Sequence, residues 1–509
     1  MTRKRLLFRG IGIGYLSMGA GMAYSFLSIP LALAYLGKEE YGLWALIMTI
    51  SGYLNFTELG ISNSIQRHLI EVKEGRPNRA YGGVFLSGAL AFTAIGIICA
   101  LAGCLCIPLL PGLVGVPSEQ SATFGWLMAG MVILFALSLM TRILGAPLYV
   151  FQRFDLYETG NILLYVVWLG TLYAGLRLGY GVYALLLSQA VGWIFSTIFN
   201  LLVCNHLGMY PRRGEWSLPD RKMLREIALF SRDSFLQQSG QQFVASLPVL
   251  ILTRTMGLDA AATWTVGVRP FFILHQLLRR PFQYAFMMLA DTYANRGPEQ
   301  VLHPWIKIAR WTTIGAMVAF PTSVFFYGDF MRLWTHGKIA WTLPEASAGG
   351  LYFLMLSILN SFYGMVGINK KIGIVRFSSL AEGVLIVLCS IVLCPRFGLL
   401  GLIVSLVVSK FFLGAVPTVY YLQDVFGAAM SAVWKDTVFR PLAILPIICV
   451  VAWTPFLLLQ DDSGWFWLVA CGTLSLALSA LPGVFLGGAF GEVLSSLSTL
   501  RSKLLLRKG

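Results

Sequence analysis

The sequence is short of charged residues. Of its 509 residues only 12% are charged, 38 Lys and Arg together with 23 Asp and Glu, whereas soluble domains average about 25%. A soluble protein of this length needs polar residues to cover the surfaces of two or three domains. With 57% hydrophobic residues and a mean hydropathy of +0.73, the composition excludes an ordinary soluble protein and indicates a membrane protein.

Motifs of enzymes and metal sites are missing as well. The five histidines show neither HExxH nor another metal spacing, and no GxSxG, Walker A or protein-kinase motif occurs. The eight cysteines include no CxxC pair and lie in or beside apolar segments, so we expect neither disulfides nor a metal site. The sequence therefore predicts a protein that has no cofactor, is not an enzyme and does not hydrolyse ATP.

Long uncharged segments alternate with short charged clusters. Residues 80–118 and 463–491, for example, contain no Asp, Glu, Lys or Arg, and such segments exceed the ~18 to 20 residues that cross a bilayer core. Dividing the chain at the charge clusters and at Pro- and Gly-rich turns predicts fourteen spans. They are 9–35, 41–66, 80–107, 121–149, 157–176, 180–203, 228–254, 260–290, 308–330, 345–368, 372–393, 398–422, 439–459 and 464–489.

The positions of the positive charges orient these spans. With the N-terminus inside, the predicted cytoplasmic segments hold 26 Lys and Arg residues and the outer loops hold six. This asymmetry follows the positive-inside rule, and it predicts a multi-pass membrane protein with both termini in the cytoplasm. It also accounts for most of the net charge of +15 without nucleic acid as a partner.

Two motifs flank the second predicted span. The segment 36–46, LGKEEYGLWAL, opens it, and the segment 58–67, ELGISNSIQR, closes it. Together with the span number, the topology and the basic loops, these motifs closely resemble the polysaccharide transporters of the multidrug/oligosaccharidyl-lipid/polysaccharide (MOP) superfamily, the Wzx-like flippases of lipid-linked oligosaccharides. That family usually has Asp where Glu58 stands here.

The resemblance implies an all-α polytopic membrane protein with a MATE-like fold, built from two pseudo-symmetric six-helix lobes and a peripheral C-terminal helix pair. A weak internal repeat agrees with two lobes, because Leu36-Gly37 with Trp44 recurs as Met256-Gly257 with Trp264. The predicted parts are an N-lobe at 1–203, a basic cytoplasmic linker at 204–227, a C-lobe at 228–424, the peripheral pair at 425–490 and a basic tail at 491–509.

Charged residues inside the predicted spans are the candidate binding residues. A charge at the bilayer centre costs about 2.5–3.5 kcal/mol on insertion scales, so it should face a wet cavity or a partner. Arginine suits a pyrophosphate because its planar guanidinium donates paired hydrogen bonds and stays charged. The predicted anion site comprises Arg142, Arg232, Arg269, Arg279 and Arg280; for Arg232, Arg279 and Arg280, a position at the inner headgroups is the alternative.

Polar residues and carboxylates in the spans suggest a glycan path and an energy-coupling site. Gln237, Gln238, Gln241 and Gln242 are predicted to line a path for sugar hydroxyls, with hydrogen bonds between helices as the alternative. The candidates for coupling are Glu58, Asp233, Glu382 and Lys410. Glu382 and Lys410 lie at similar depth on neighbouring predicted spans, so a structural ion pair is the alternative for them.

The first functional hypothesis is a flippase that moves an undecaprenyl-pyrophosphate-linked oligosaccharide, a repeat unit of O-antigen, capsule or exopolysaccharide, from the inner to the outer leaflet. The resemblance implies alternating access driven by a proton or sodium gradient, with the glycan in a cavity between the lobes and with membrane lipid and other polysaccharide assembly proteins as partners. A MATE-type multidrug exporter is the alternative. A polytopic polysaccharide polymerase or glycan ligase is less compatible, since the longest predicted outer loop, 331–344, is short.

Overall fold

The computed structural model describes residues 3–54, 61–73, 80–217, 243–368, 375–458 and 464–486. These residues are almost entirely helical, and no β-strand occurs among them. They divide into two compact units, Met1–Thr265 and Val266–Gly509. The predicted all-α fold class is confirmed, whereas the finer domain limits inferred from the sequence stay predictions.

The first unit consists of long helices joined by short turns. Several of them have 24 or more residues, which is enough to cross a bilayer. In chain order the helices are α1 (Arg3–Tyr35), α2 (Lys38–Leu54), α3 (Ile61–Lys73), α4 (Tyr81–Cys106), α5 (Leu110–Val114), α6 (Ser118–Thr141), α7 (Ala146–Val150), α8 (Phe154–Arg177), α9 (Tyr183–His206), α10 (Phe243–Met256) and α11 (Leu258–Gly267), the last of which contains the boundary between the units.

The second unit has the same long-helix construction with more irregular turns. π-helical turns occupy Lys410–Ala415 and Lys435–Phe439. The helices are α12 (Arg269–Arg296), α13 (Pro298–Phe325), α14 (Tyr327–Trp334), α15 (Leu343–Ile368), α16 (Val375–Ser409), α17 (Val416–Phe426), α18 (Ala429–Trp434), α19 (Arg440–Leu458) and α20 (Trp465–Leu486).

The helices have the length and apolarity of membrane spans. Within the described ranges, nine helical segments are long and apolar enough to cross a membrane, and α13 with α14, bent by 65°, would make a tenth. The multi-pass character predicted from the sequence is confirmed. The total of fourteen stays a prediction, because parts of the predicted spans 41–66 and 228–254 lie outside the described residues.

Several spans that were predicted as continuous helices are broken, so continuity was wrong at these places. One is 308–330, which is divided between α13 and α14, and two others show the role of proline. In the predicted span 121–149, α6 ends at Thr141, a 3₁₀ turn covers Arg142–Gly145, and α7 follows. Pro147 explains this break, because proline lacks an N–H and its ring clashes with the carbonyl four residues earlier. The predicted span 260–290 is interrupted at Val268, where Pro270 in the first turn starts α12.

Each unit has a hydrophobic core of its own. In the first unit, the core between α3, α4 and α6 includes Leu69, Phe92 and Leu139, which are almost completely buried. In the second unit, aromatic rings dominate: Trp305 lies 5.5 Å from Phe362 between ring centroids, and Phe362 stacks on a neighbouring indole at 4.7 Å. These cores fix the helices that carry the polar side chains described next.

Candidate binding cavity

The first unit encloses a cavity of about 600 Å³. Helices α2, α3, α4, α6, α7, α8 and α9 and the turn after α6 all contribute to its wall. Small hydroxyl, amide and aromatic side chains make up much of the lining. The polar and aromatic lining residues are Ser51, Ser62, Gln66, Phe92, Phe135, Ser138, Thr141, Arg142, Tyr149, Tyr157, Asn161, Trp168, Gln189, Trp193, Ser196, Thr197 and Asn200.

Arg142 carries the charge of this cavity. It is the one charged side chain among the described residues that line the wall, and no carboxylate occurs among them. Its side chain is exposed although the neighbouring Ile143 is buried. The cavity is therefore a polar space with a single positive charge, as a binding site for an anion requires.

Arg142 lies at the break after α6. It is the first residue of the 3₁₀ turn, has helical dihedral angles with φ of −62° and ψ of −33°, and lines the cavity from this position. The preceding residue is held from α9: the Trp193 indole donates to Thr141 Oγ1 at 3.0 Å, and the Thr197 hydroxyl donates to the same oxygen at 3.3 Å. These bonds fix the start of the turn.

Aromatic rings cover one side of the cavity. Tyr149 and Tyr157 lie 4.7 Å apart between ring centroids. Trp168 contacts Tyr165 at 5.9 Å and Tyr24 at 5.6 Å. Tyr and Trp combine a flat apolar face with a polar group, a combination suited to sugars, which present both C–H faces and hydroxyls.

The second unit buries an ion pair. Lys410 Nζ lies 2.6 Å from Glu382 Oε1, and the two side chains are 10% and 4% exposed. Lys410 opens the π-helical turn, and its ammonium also lies 5.7 Å from the centroid of the Tyr363 ring. The structural ion pair considered from the sequence is thus present, while the coupling role of these two residues stays a prediction.

The other described arginines of the predicted anion site belong to the second unit. Arg269 is the first residue of α12, with its guanidinium 5.9 Å from the Phe272 ring centroid. Arg279 and Arg280 lie further along the same helix and are half-buried. In the correct amide orientation, the Gln283 oxygen accepts from two nitrogens of Arg279 at 3.0 Å. Of the predicted arginines in the described residues, Arg142 is therefore the one that lines the cavity.

Several predicted site residues lie outside the described part of the chain. They are Glu58, Arg232, Asp233, Gln237, Gln238, Gln241 and Gln242. Their roles in anion binding, the glycan path and coupling stay predictions.

Polar residues of α9 were missed by the sequence analysis. Gln189, Trp193, Ser196 and Asn200 follow one another at intervals of three or four residues and all line the cavity. This interval places them on one face of a helix. The spacing of these residues could be read from the sequence. They were missed because the sequence analysis looked for charged residues inside the spans, and these four residues are uncharged.

The fold and the cavity define a class of protein, a multi-pass helical membrane protein with a solute-sized polar cavity in its first unit. The chain matches the profile of the family described as polysaccharide biosynthesis protein over residues 7–287. Because the match covers more than half of its length, the chain belongs to this family. The family assignment made from the motifs beside the second predicted span is thereby confirmed.

Solved structures share the fold. The lipid II flippase MurJ in an inward closed conformation superposes with a TM-score of 0.67 at 11% identity, covering 92% of this chain and 97% of that chain. An inward-facing multidrug resistance MATE transporter of the MOP superfamily gives 0.61 at 16% identity, covering 81% and 96%. A mutant of the Vibrio cholerae MATE transporter VcmN gives 0.53 at 15%, covering 84% and 98%.

At these identities the similarity establishes the fold. No curated protein sequence matches the chain. The family and the fold are those of transporters and flippases rather than of enzymes, in agreement with the sequence-based prediction.

Proposed function

We propose that this protein is a flippase that moves an undecaprenyl-pyrophosphate-linked oligosaccharide from the inner to the outer leaflet of the bacterial inner membrane. The observation that carries the proposal is the cavity of about 600 Å³ whose described lining contains Arg142 and no carboxylate. Membership of the polysaccharide biosynthesis family supports a substrate of glycan assembly. The fold shared with a lipid II flippase supports a lipid-linked one.

Arg142 is the proposed ligand of the pyrophosphate. A guanidinium donates two parallel hydrogen bonds to phosphate oxygens and stays charged at every physiological pH. Arg142 lines the cavity, and the described cavity wall contains no Asp or Glu, so the wall itself offers an anion a positive charge and no negative one. The polyprenyl chain would remain in the hydrocarbon while the headgroup occupies the cavity.

The rest of the cavity suits the sugars next to the pyrophosphate. Asn161, Gln189 and Asn200 offer amide donors and acceptors, and the rings of Tyr157 and Trp168 offer flat apolar faces. A volume of about 600 Å³ is in the usual range for small-molecule sites. We infer that the cavity holds the pyrophosphate and the sugars nearest to it.

The proposed driving force is an ion gradient, and the buried pair in the second unit favours a proton over sodium. A sodium ion at Glu382 would have to share its carboxylate with the Lys410 ammonium, which lies 2.6 Å from Glu382 Oε1, and two cations on one carboxylate repel each other. A proton would instead neutralise Glu382 and release Lys410. Glu58 and Asp233 are further candidates for the coupling carboxylate.

The cavity disfavours the multidrug-exporter alternative. A cationic drug would meet the like charge of Arg142 in the cavity, and the described lining has no carboxylate to offset it. The proposed partners are therefore the lipid-linked oligosaccharide, membrane lipid and other polysaccharide assembly proteins. We further propose that both termini lie in the cytoplasm, on the side where positive charge accumulates.

Transport in reconstituted vesicles tests the proposal. The purified protein would be inserted into liposomes with a fluorescently labelled undecaprenyl-pyrophosphate disaccharide, and its movement between leaflets would be followed by quenching with dithionite. We expect Arg142→Gln to slow transport at least about tenfold, since charged hydrogen bonds contribute about 1.5–3 kcal/mol. Arg142→Lys should be intermediate because it keeps the charge but loses the paired donors.

Arg177→Gln is the matched control. Arg177 ends α8, is exposed, and hydrogen-bonds to Tyr173 of the same helix at 3.0 Å, so it does not belong to the cavity wall. It should transport like the unaltered protein. Equal, undiminished rates for Arg142→Gln and Arg177→Gln would refute the proposed role of the cavity.

A further inference from the structure

The segment 207–217 after α9 folds back onto the first unit. Gly208, with φ of +61°, provides the left-handed turn that reverses the chain. Met209 is 5% exposed, and its N–H donates to the Cys204 carbonyl at 2.9 Å. From α4, the Tyr81 hydroxyl donates to the Met209 carbonyl at 3.4 Å. The segment is therefore fixed where it begins.

Tyr210 reaches from this segment to the turn that carries Arg142. Its hydroxyl lies 3.0 Å from the Leu144 carbonyl oxygen and 3.3 Å from the Asn200 carbonyl oxygen. A phenol has one hydrogen to donate, so the two carbonyls share it, with Leu144 the nearer acceptor. The ring is held by edge-to-face contact with Phe85, 5.8 Å between centroids.

The Leu144 carbonyl accepts a hydrogen bond from a side chain because it lies at the break in the helix. It belongs to the 3₁₀ turn Arg142–Gly145, where the regular α-helical bonding of α6 stops. Carbonyls at such a break need a donor from elsewhere, because leaving them unpaired in the protein interior is unfavourable. Tyr210 supplies that donor. Burial and the nearby Cys204 thiol raise the pKa of Tyr210, so its hydroxyl stays protonated and able to donate.

The turn is also held from α9. Thr141, just before the turn, accepts hydrogen bonds from Trp193 and Thr197. At the other end, a Cβ placed on Gly145 would lie 3.2 Å from the Asn200 amide nitrogen, so the backbone of the turn packs directly on that side chain. Tyr210 adds hydrogen bonds to the turn and to α9 and is not part of the described cavity wall.

We propose that Tyr210 is a positioning residue for Arg142, which it holds toward the cavity by fixing the 3₁₀ turn. The inference rests on the proposed role of Arg142 in binding the substrate pyrophosphate. Tyr210 itself does not contact the substrate. Without its hydroxyl, the turn can relax and the guanidinium spends less time in the orientation that binds phosphate.

A double-mutant cycle on substrate binding tests this inference. The full-length protein in nanodiscs would be titrated with undecaprenyl pyrophosphate as the probe, for the unaltered chain, Tyr210→Phe, Arg142→Gln and the combination. We expect Tyr210→Phe to weaken binding about fivefold, as for the loss of one hydrogen bond. The double variant should bind no more weakly than Arg142→Gln alone, because Tyr210 acts through Arg142.

Tyr81→Phe provides the matched control, since it removes a tyrosine hydroxyl bonded to the same segment but not to the turn. It should bind within about twofold of the unaltered protein. If Arg142→Gln weakens binding and Tyr210→Phe does not, or if the two losses simply add, the positioning role is refuted while the proposed function stands. If Arg142→Gln leaves binding unchanged, the proposed function itself fails.

Discussion

The two units place a cation of an apolar helical segment in opposite settings. In the first unit, Arg142 opens a 3₁₀ turn and its side chain is exposed at a cavity with no carboxylate in its described wall. In the second unit, Lys410 opens a π-helical turn and its side chain, 10% exposed, is bonded to Glu382. Both cations therefore begin an irregular helical turn, but Arg142 lines a cavity whereas Lys410 belongs to a buried ion pair.

This difference separates Arg142, which lines a cavity that can hold a ligand, from Lys410, whose charge pairs with Glu382 inside the protein. A charge within an apolar unit needs solvent, a ligand or an opposite charge. Lys410 has its opposite charge at 2.6 Å, so removing either partner mainly affects folding. Arg142 has a polar cavity, so removing it mainly affects what the cavity binds. The predictions below are arranged to separate these two consequences.

The largest effect on stability is expected for Lys410→Met. The substitution leaves the Glu382 carboxylate buried without its cation, which typically costs about 3–5 kcal/mol. Thermal unfolding of the detergent-solubilised protein should show a clearly lower midpoint than the unaltered chain. Adding Glu382→Gln should recover most of the loss, since it removes the unpaired charge.

The double variant also tests energy coupling. If the pair takes part in proton coupling, the combination of Lys410→Met and Glu382→Gln should fold and yet transport independently of the proton gradient in vesicles. Retained gradient-dependent transport would assign the pair a purely structural role.

Effects of intermediate size are expected when one glycine beside the ion pair and one in the cavity wall are each replaced by alanine. A Cβ at Gly414 would lie 2.9 Å from the Lys410 side chain and press on the Tyr363 hydroxyl, whereas a Cβ at Gly192 would overlap the Trp168 indole in the cavity wall. Each alanine substitution should cost about 1–3 kcal/mol through overpacking. Comparing unfolding midpoints with transport rates, we expect Gly414→Ala to lower stability and Gly192→Ala to reduce transport beyond its loss of stability.

The smallest effect is expected for Thr141→Val. It removes the oxygen that accepts from Trp193 at 3.0 Å, and one hydrogen bond is worth about 1 kcal/mol. Initial transport rates should fall a few-fold with little change in the unfolding midpoint. A fall in the midpoint as large as that of Lys410→Met would show that the turn supports the fold instead of the cavity.

Much of the fold was predictable because lipid imposes apolar composition on each span. The predicted span 80–107 corresponds to α4 (Tyr81–Cys106), and 345–368 corresponds to α15 (Leu343–Ile368). The break at Arg142 was not predicted, although Pro147 signals it, because hydropathy averages over such breaks. The proximity of Glu382 and Lys410 followed from their similar depth in neighbouring spans, whereas their bond required the structure.

The cavity itself was harder to predict. Its wall draws on seven helices, and neutral polar residues such as Asn161, Gln189 and Asn200 form much of it. Such residues also serve as hydrogen-bonding groups between membrane helices, so composition alone does not distinguish the two uses. Arg142 could be predicted as a candidate binding residue because a charge in an apolar span is costly and needs a polar environment. The structure places this residue in the cavity wall.

The most direct test of the central claim is a cryo-electron microscopy structure of the protein in nanodiscs with undecaprenyl-pyrophosphate-linked disaccharide. The account predicts phosphate density within hydrogen-bond distance, about 3 Å, of the Arg142 guanidinium, with the adjoining sugar against the Tyr157 and Trp168 rings. Bound substrate elsewhere, with the cavity around Arg142 empty, would contradict it.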